Sequence, residues 1–212
     1  MNIDLTKMYD ISMPITHDMK VYKGKEEKRP VLAAQSTFLT GSAYESVITM
    51  NMHTGSHIDS NLHMIDGGST VESLNIKELL TKCRVIDLSE CTNSISKEDL
   101  VNKNIQSGSF LLFKTRNSTE DILEKDFIYL DRTGASYLAE LDIAGVGTDG
   151  LGIERAQSDH KTHLVLMNKG IHILEGLRLA DIEEGEYFLS ALPILISGAE
   201  ASPIRAVLIG LS

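Results

Sequence analysis

Apolar positions in this chain come in short runs punctuated by turn-forming residues, a pattern of strands more than of long helices. Arg84-Val85-Ile86-Asp87-Leu88, Phe110-Leu111-Leu112-Phe113 and Ala144-Gly145-Val146-Gly147 are compact runs of the kind that buried strands show. Tyr44 to Met52 mixes β-branched and polar residues, and Tyr187 to Ile196 and Ile204 to Leu211 also read as strands. Ile171-His172-Ile173-Leu174 predicts one more buried strand. Helical spacing is scarcer. Ser96 to Val101 places an Asp three residues after a Ser, close to a capping box. Thr133 to Leu141 sets Tyr137, Leu138 and Leu141 on one helical face, with Thr133 as the expected N-cap. Val71 to Leu80 is a third predicted helix, which puts Cys83 at a helix-to-strand junction as a small buried residue. Strands and helices alternate irregularly and no linker interrupts them. The expectation is a single α/β domain over residues 1–212, one mixed, β-rich sheet flanked by a few helices.

Composition narrows the partners. The 212 residues carry 20 Lys+Arg against 30 Asp+Glu, a net charge of −10, and so lack the basic footprint of a nucleic-acid or anionic-membrane binder. The longest apolar run, Phe188 to Ile196, is broken by Ser190 and Pro193 and falls short of the roughly 18–20 residues a membrane span needs. Met1 to Lys7 shows no basic region leading into an apolar stretch, so no signal peptide is expected. Two cysteines without a C-x-x-C spacing favour a reducing, cytoplasmic setting. No G-x-S-x-G elbow, G-x-G-x-x-G or Walker A sequence occurs. Seven histidines beside two cysteines mean that any bound metal should be held by imidazole and carboxylate.

The densest chemistry lies in Asn51 to His63. His53, His57, Asp59 and His63 all occupy odd positions, so an extended chain would turn all four to one side. A helix could also join His53 and His57, but Gly55, Ser56, Asp59, Ser60 and Asn61 are poor helix formers. Neutral imidazoles with a carboxylate suit Zn²⁺, Mn²⁺ or another first-row divalent ion. The bland alternative is a polar loop with incidental histidines. Downstream, His160-Lys161-Thr162-His163 is a weak signal by itself. Glu175 ends an apolar run, where a carboxylate needs a cation or several donors, which makes it a candidate ligand. Gly147 to Gly152 reads as an active-site or turn loop, since its Asp149 would repel a phosphate.

His53-x-Gly55-Ser56-His57-x-Asp59-x-Asn61-x-His63 resembles the H-x-G-T-H-x-D-x-P-x-H motif of the cyclase-like metal-dependent hydrolases. Bacterial kynurenine formamidase is the best-known member of that family. The resemblance continues in Tyr9 to Ile15, in Phe113-Lys114-Thr115-Arg116, in Gly147-Thr148-Asp149, in Ile173-Leu174-Glu175-Gly176-Leu177 and in Ala201 to Val207. It implies that His53, His57 and Asp59 hold one metal ion. Asp59 and Glu175 would bridge to a second ion, held also by His163, which stands the family's twelve positions before the Glu. It implies His63 as general acid/base, poised near neutrality, and one or two Zn²⁺ ions with Mn²⁺ as the alternative. It further implies a barrel-like, swivelling β/β/α fold, a small-molecule substrate, and a homodimer or larger assembly. His17, His160 and His172 are left as structural or surface residues.

Two departures bear on the substrate. Ser56 stands for the motif's Thr and keeps its hydroxyl, whereas Asn61 stands for its Pro and would add an amide to the site. Tyr22-Lys23-Gly24-Lys25 stands where the family often reads Tyr/Trp-Pro-Gly-Asp, in a loop that shapes the pocket. The resulting expectation is a metal-dependent hydrolase of a small amide, formamide or cyclic amide, with arylformamidase activity on N-formylkynurenine as its named form. A catalytically silent metal- or small-ligand-binding protein of the same fold is the alternative.

Overall fold

Alternating side chains on the central strands enter two separate cores, and a smaller third cluster gathers Met13, Met19, Val21, Leu123, Phe127 and Leu151. Val85, Phe110, Leu112 and Leu174 enter one; Ile86, Leu111, Phe113 and Ile173 enter the other. Both faces of these strands are buried, which is why their sequences read as unbroken apolar runs. The computed structural model describes residues 3–211. Met1 and Asn2 of the expected leaderless start, and Ser212 at the end of the expected domain, lie outside the described residues.

In chain order the strands are β1 (Ile3–Asp10), β2 (Val31–Ser36), β3 (Glu45–Thr49), β4 (His57–Asp59), β5 (Leu80–Asp87) and β6 (Ser94–Ile95). Then come β7 (Phe110–Lys114), β8 (Tyr129–Leu130), β9 (Gly145–Thr148) and β10 (His172–Glu175). The last are β11 (Gly185–Ser190), β12 (Ala201–Pro203) and β13 (Val207–Leu211). Nine of them make one mixed sheet in the order β1-β13-β11-β5-β7-β9-β10-β4-β12, curled as a half-barrel with β1 and β12 at its edges. The barrel-like expectation holds in that open form. β5, β7, β9 and β10 run parallel at its centre, and every other pairing in the sheet is antiparallel.

The helices α1 (Lys97–Leu100), α2 (Arg132–Glu140) and α3 (Lys161–Met167) fall between parallel strands in sequence. Their Leu100, Leu138, Leu166 and Met167 pack on Ile86, Leu111, Val146 and Ile173. On the other face the sheet packs against itself, with Ile11, Ile58, Leu189 and Leu208 in one cluster with Val85 and Leu112. Gly145 leaves room for the Phe110 ring beside it in the sheet, because a Cβ there would lie 2.3 Å from that ring. β2 and β3 form a separate, solvent-exposed hairpin.

Four local expectations change. Val71 to Leu80 is not a helix: a 3₁₀ turn covers Val71–Ser73, the Asn75 side chain captures the Lys77 N–H at 3.2 Å, and Leu80 opens β5. That side-chain capture offers the backbone an alternative to the helix. Cys83 consequently sits within β5, opposite Tyr187, and is buried as expected. α2 is capped by Asp131, which accepts from Thr133 N at 2.8 Å and Gly134 N at 3.0 Å; Thr133 is inside the helix. The strand expected over Tyr187 to Ile196 ends at Ser190, since Pro193 has no N–H for a ladder and only bridges Ile204. The expected cap of α1 is present, with Asp99 Oδ2 accepting from Ser96 N at 2.8 Å.

Candidate metal centre and active-site cavity

Three residues of strand do the work expected of eleven. Only His57–Asp59 is extended, with His57 and Asp59 on the same side. β4 lies between β10 and β12, and its register places Glu175 opposite His57. His53 arrives through a turn at Gly55, whose φ of 71° favours glycine. His63 arrives at the end of a 3₁₀ turn over Asn61–His63. His163 comes from the first turn of α3, a helix the sequence reading did not anticipate.

These routes converge on Asp59. His53 Nδ1 lies 3.1 Å and His57 Nε2 3.5 Å from Asp59 Oδ1, while His163 Nε2 lies 3.5 Å from Asp59 Oδ2. Glu175 sits 3.2 Å from His57 Nε2 and 3.4 Å from His163 Nε2 through its two oxygens. His63 stacks at 4.1 Å from the His53 ring, centroid to centroid, and 5.4 Å from that of His163. All six expected residues are therefore brought together.

The donor set fits a metal ion on one specific observation. Both Asp59 carboxylate oxygens and both His163 ring nitrogens are buried and accept or donate no hydrogen bond. Their neighbours are near but not aligned for hydrogen bonding: Asp59 and His163 Nε2 face the cluster, while His163 Nδ1 faces Glu154 on its far side. Donor separations of 3.1–3.5 Å match the roughly 3.3–3.4 Å edge of a tetrahedron whose metal–ligand bonds are about 2.0–2.1 Å. His53, His57 and Asp59 form one compact donor group, and Asp59, His63 and His163 a second that shares the carboxylate. His63 thus stands within ligand reach as well as beside the cavity.

Neighbours set the tautomers. His57 Nδ1 lies 2.9 Å from the Gly55 carbonyl, which leaves Nε2 facing Asp59 and Glu175. Burial alone would depress the His57 pKa, but Glu175 and Asp59 outweigh it and raise it to about 9. His163 is raised in the same way, against its burial, by Asp59, Glu154 and Glu175. Asp59 and Glu175 are held low by the surrounding imidazoles in spite of burial. His63 differs: burial, opposed by the Asp59 charge, pushes it down to about 4, well below the expected neutrality.

The cluster opens into a cavity of about 600 Å³, lined among others by His53, His63, His163 and Glu175 and by Tyr22, Lys23 and Lys28. The 22–25 loop therefore contributes to the pocket, as expected. Asn61 does not add its amide there; it lines a smaller cavity of about 220 Å³ with Asp59, Glu78 and His172. Of the glycine-rich loop, Leu151 and Gly152 reach the main cavity. Asp149 is a structural anchor, accepting from Thr115 N and Oγ1, Asn117 Nδ2 and Ser118 Oγ at 2.7–3.1 Å.

Sequence reasoning missed Glu154, which is buried 3.1 Å from His163 Nδ1 and 2.6 Å from His160 Nδ1. Its only sequence signal is an acid between Ile153 and Arg155 beyond a glycine-rich turn. His160 is accordingly no bystander, since it lines the cavity and pairs with Glu154. Glu200 was missed as well, at 3.4 Å from His53 Nε2. His17 and His172 remain outside the cluster, against Pro30 O at 3.1 Å and Glu78 at 2.7 Å.

Residues 9–155 match the family model described as "Putative cyclase". Kynurenine formamidase of Bacillus mycoides (strain KBAB4) is 32% identical over 201 residues, covering 94% of this chain and 95% of its own. A structure described as a potential metal-dependent hydrolase with cyclase activity superposes with a TM-score of 0.90 at 44% identity, covering 97% of this chain and 98% of that one. Another, described as "predicted metal-dependent hydrolase from Bacillus stearothermophilus", gives 0.87 at 45% identity over 96% and 98%.

Proposed function

This chain belongs to the cyclase family, and from that premise we propose that it is a metal-dependent hydrolase of a small amide, with N-formylkynurenine, cleaved to kynurenine and formate, as the leading substrate. The observation that carries this reading is the Asp59 carboxylate, buried without a hydrogen bond among imidazole nitrogens. His53, His57 and Asp59 would hold one divalent ion, with Asp59, Glu175 and His163 around a second. Zn²⁺ is the first choice for such ligands and Mn²⁺ the next. A divalent ion held there lowers the pKa of a coordinated water and polarises an amide carbonyl.

The chain's own groups supply the rest. Water adds across the C–N bond, so a hydroxyl must reach the carbonyl carbon and a proton the nitrogen. His63, neutral at physiological pH because of its burial, takes the water proton and returns it to the leaving amine. Gly55 O on His57 and Glu154 on His163 fix the rings while this happens. The reading includes one domain over 1–212, supported by the absence of an interrupting linker, and a cytoplasmic setting, supported by the two cysteines without a C-x-x-C spacing and checked by fractionation. It also includes a homodimer or larger assembly, carried by the family resemblance and checked by sedimentation. Among the described residues, no helix is long and apolar enough to cross a membrane.

Metal stoichiometry followed by hydrolysis assays tests the reading. Wild type should hold one or two divalent ions per chain and cleave N-formylkynurenine; His63→Ala should keep metal and lose turnover, and Asp59→Asn should lose both. Full turnover in His63→Ala would sink its role, and full metal retention in Asp59→Asn would refute the ligand set. Bound metal with no cleavage of any formamide, amide or cyclic imide would establish the catalytically silent alternative.

A further inference from the structure

Charge at the main cavity is unevenly spent. Its acids are engaged: Glu175 with His57 and His163, Glu154 with His160 and His163, Glu200 with His53. Its two lysines are not. Among the described residues no carboxylate forms an ion pair with Lys23 or Lys28, whereas nearby Lys20 pairs with Asp121 at 2.7 Å and Arg29 with Glu26 at 2.9 Å. In a chain of net charge −10, cations left without an acid at a cavity wall are informative.

The backbone that carries the lysines is also held in place. Tyr22–Gly24 is a 3₁₀ turn closed by Gly24 N donating to Val21 O at 2.8 Å. Lys23 within it adopts φ 59°, the left-handed region that a lysine enters only under constraint. Lys28 N donates to Lys25 O at 2.9 Å, and Thr54, next to His53, donates to Lys28 O at 3.4 Å. Arg29 locks the end of the segment through Met19 O at 2.6 Å. Both ammonium groups stand over the Tyr22 ring, at 5.2 Å for Lys23 and 5.4 Å for Lys28. Lys28 is half-buried, so its charge has lost part of its water without gaining an anion.

We propose that Lys23, Lys28 and Tyr22 form a recognition wall for the carboxylate and flat body of an acidic substrate whose amide faces the His63 and Glu175 end of the same cavity. The substrate class is an N-acyl or cyclic amide on a planar, carboxylate-bearing framework. This inference rests on the hydrolase reading for its amide and on the lysine pair for its acid. The basic Tyr22-Lys23-Gly24-Lys25 stretch stands where the family often reads Tyr/Trp-Pro-Gly-Asp, and Lys25 itself lies outside the cavity.

The test compares N-formylanthranilate with formanilide, the same formamide on the same ring with and without a carboxylate, using the metal-loaded protein. Wild type should favour the acid in kcat/KM, and added salt should erode that preference. Lys23→Gln/Lys28→Gln should lower the ratio of the two kcat/KM values at least tenfold, through the KM of the acid, and Lys28→Arg should retain most of it. An unchanged ratio in the double variant would overturn the proposal. Calorimetric binding of anthranilate against aniline is read in parallel and needs no turnover. The hydrolase reading fails if these two formamides, N-formylkynurenine and cyclic imides are all left uncleaved. Anthranilate binding that weakens tenfold in the double variant would still support the wall, and binding that does not weaken would refute it.

Discussion

Gly176 lies against Gly55 so closely that a Cβ on Gly176 would stand 2.3 Å from the Gly55 carbonyl oxygen. Both have φ of 71°, and each adjoins ligand candidates: Gly55 sits between His53 and His57, Gly176 follows Glu175. Two separate stretches of chain are thereby clamped at the distance the cluster requires. Gly176→Ala should cost several kcal/mol, about 1–2 from the left-handed conformation alone and more from the backbone clash. Thermal melting and soluble yield check this, and a variant melting within a few degrees of wild type would show that the contact relaxes.

Ser56 ties the same two stretches. Its hydroxyl donates to Gly176 O at 2.7 Å and accepts from Met13 N at 2.8 Å, all buried. Ser56→Ala leaves a buried N–H and C=O unpaired and should destabilise by about 1–3 kcal/mol. Ser56→Thr keeps the hydroxyl and should cost less. Equal losses in the two variants, measured by denaturant titration, would show that the hydroxyl is not what matters.

Glu154 should act on metal through His163. Glu154→Gln keeps the shape but removes the charge behind the ring, and should weaken one bound ion about 10–100-fold. The ion held by His53, His57 and Asp59 should be little affected. Competition against a chromophoric chelator resolves the two, and unaltered affinity for both would remove Glu154 from the site.

Asn61 is the first residue of its 3₁₀ turn, where the N–H has no acceptor within the turn and proline is welcome. Ser60 already has φ −115° and ψ 167°, the conformation a following proline demands. Asn61→Pro should therefore stabilise by about 0.4–1 kcal/mol through the unfolded chain. A lower melting temperature would mean that the Asn61 N–H or amide has a role its position in the smaller cavity does not suggest.

Glu72 offers a pH test away from the cluster. Hydrogen bonds from its own N–H, Thr70, Ser197 and Gly198 hold its pKa at about 2 against a usual 4.5. A depressed carboxylate contributes stability that is present above pH 4.5 and lost as pH falls towards 2. Glu72→Gln should melt below wild type at neutral pH, with the gap narrowing across that interval. A gap independent of pH would exclude the carboxylate charge as its origin.

The sequence was most legible where the determinants are local. Strands at Phe110 and Arg84 announce themselves because both faces are buried, and Ser96 reaches a cap only three residues away. It was least legible where distant chain decides. Nothing in Val71 to Leu80 says that Asn75 will divert its backbone. The four odd-numbered ligand candidates suggested an extended segment, and they do converge, yet through a glycine turn, three strand residues and a 3₁₀ turn. Glu154 is recognisable only once α3 has brought His163 beside it.

One pairing bears on how the protein is made. β1 has a single partner in the sheet, β13, so the first strand must wait for the last. About 200 residues separate Asp10 from Val207, which at roughly 5–20 residues per second on the ribosome is about 10–40 s of waiting. During that time a strand bearing Leu5 and Met8 has no partner, and the growing chain must be shielded or kept from its neighbours. Protease should cut β1 in stalled nascent chains until β13 has emerged and protect it afterwards. An edge of the sheet made early is thus closed only by a strand made about 200 residues later.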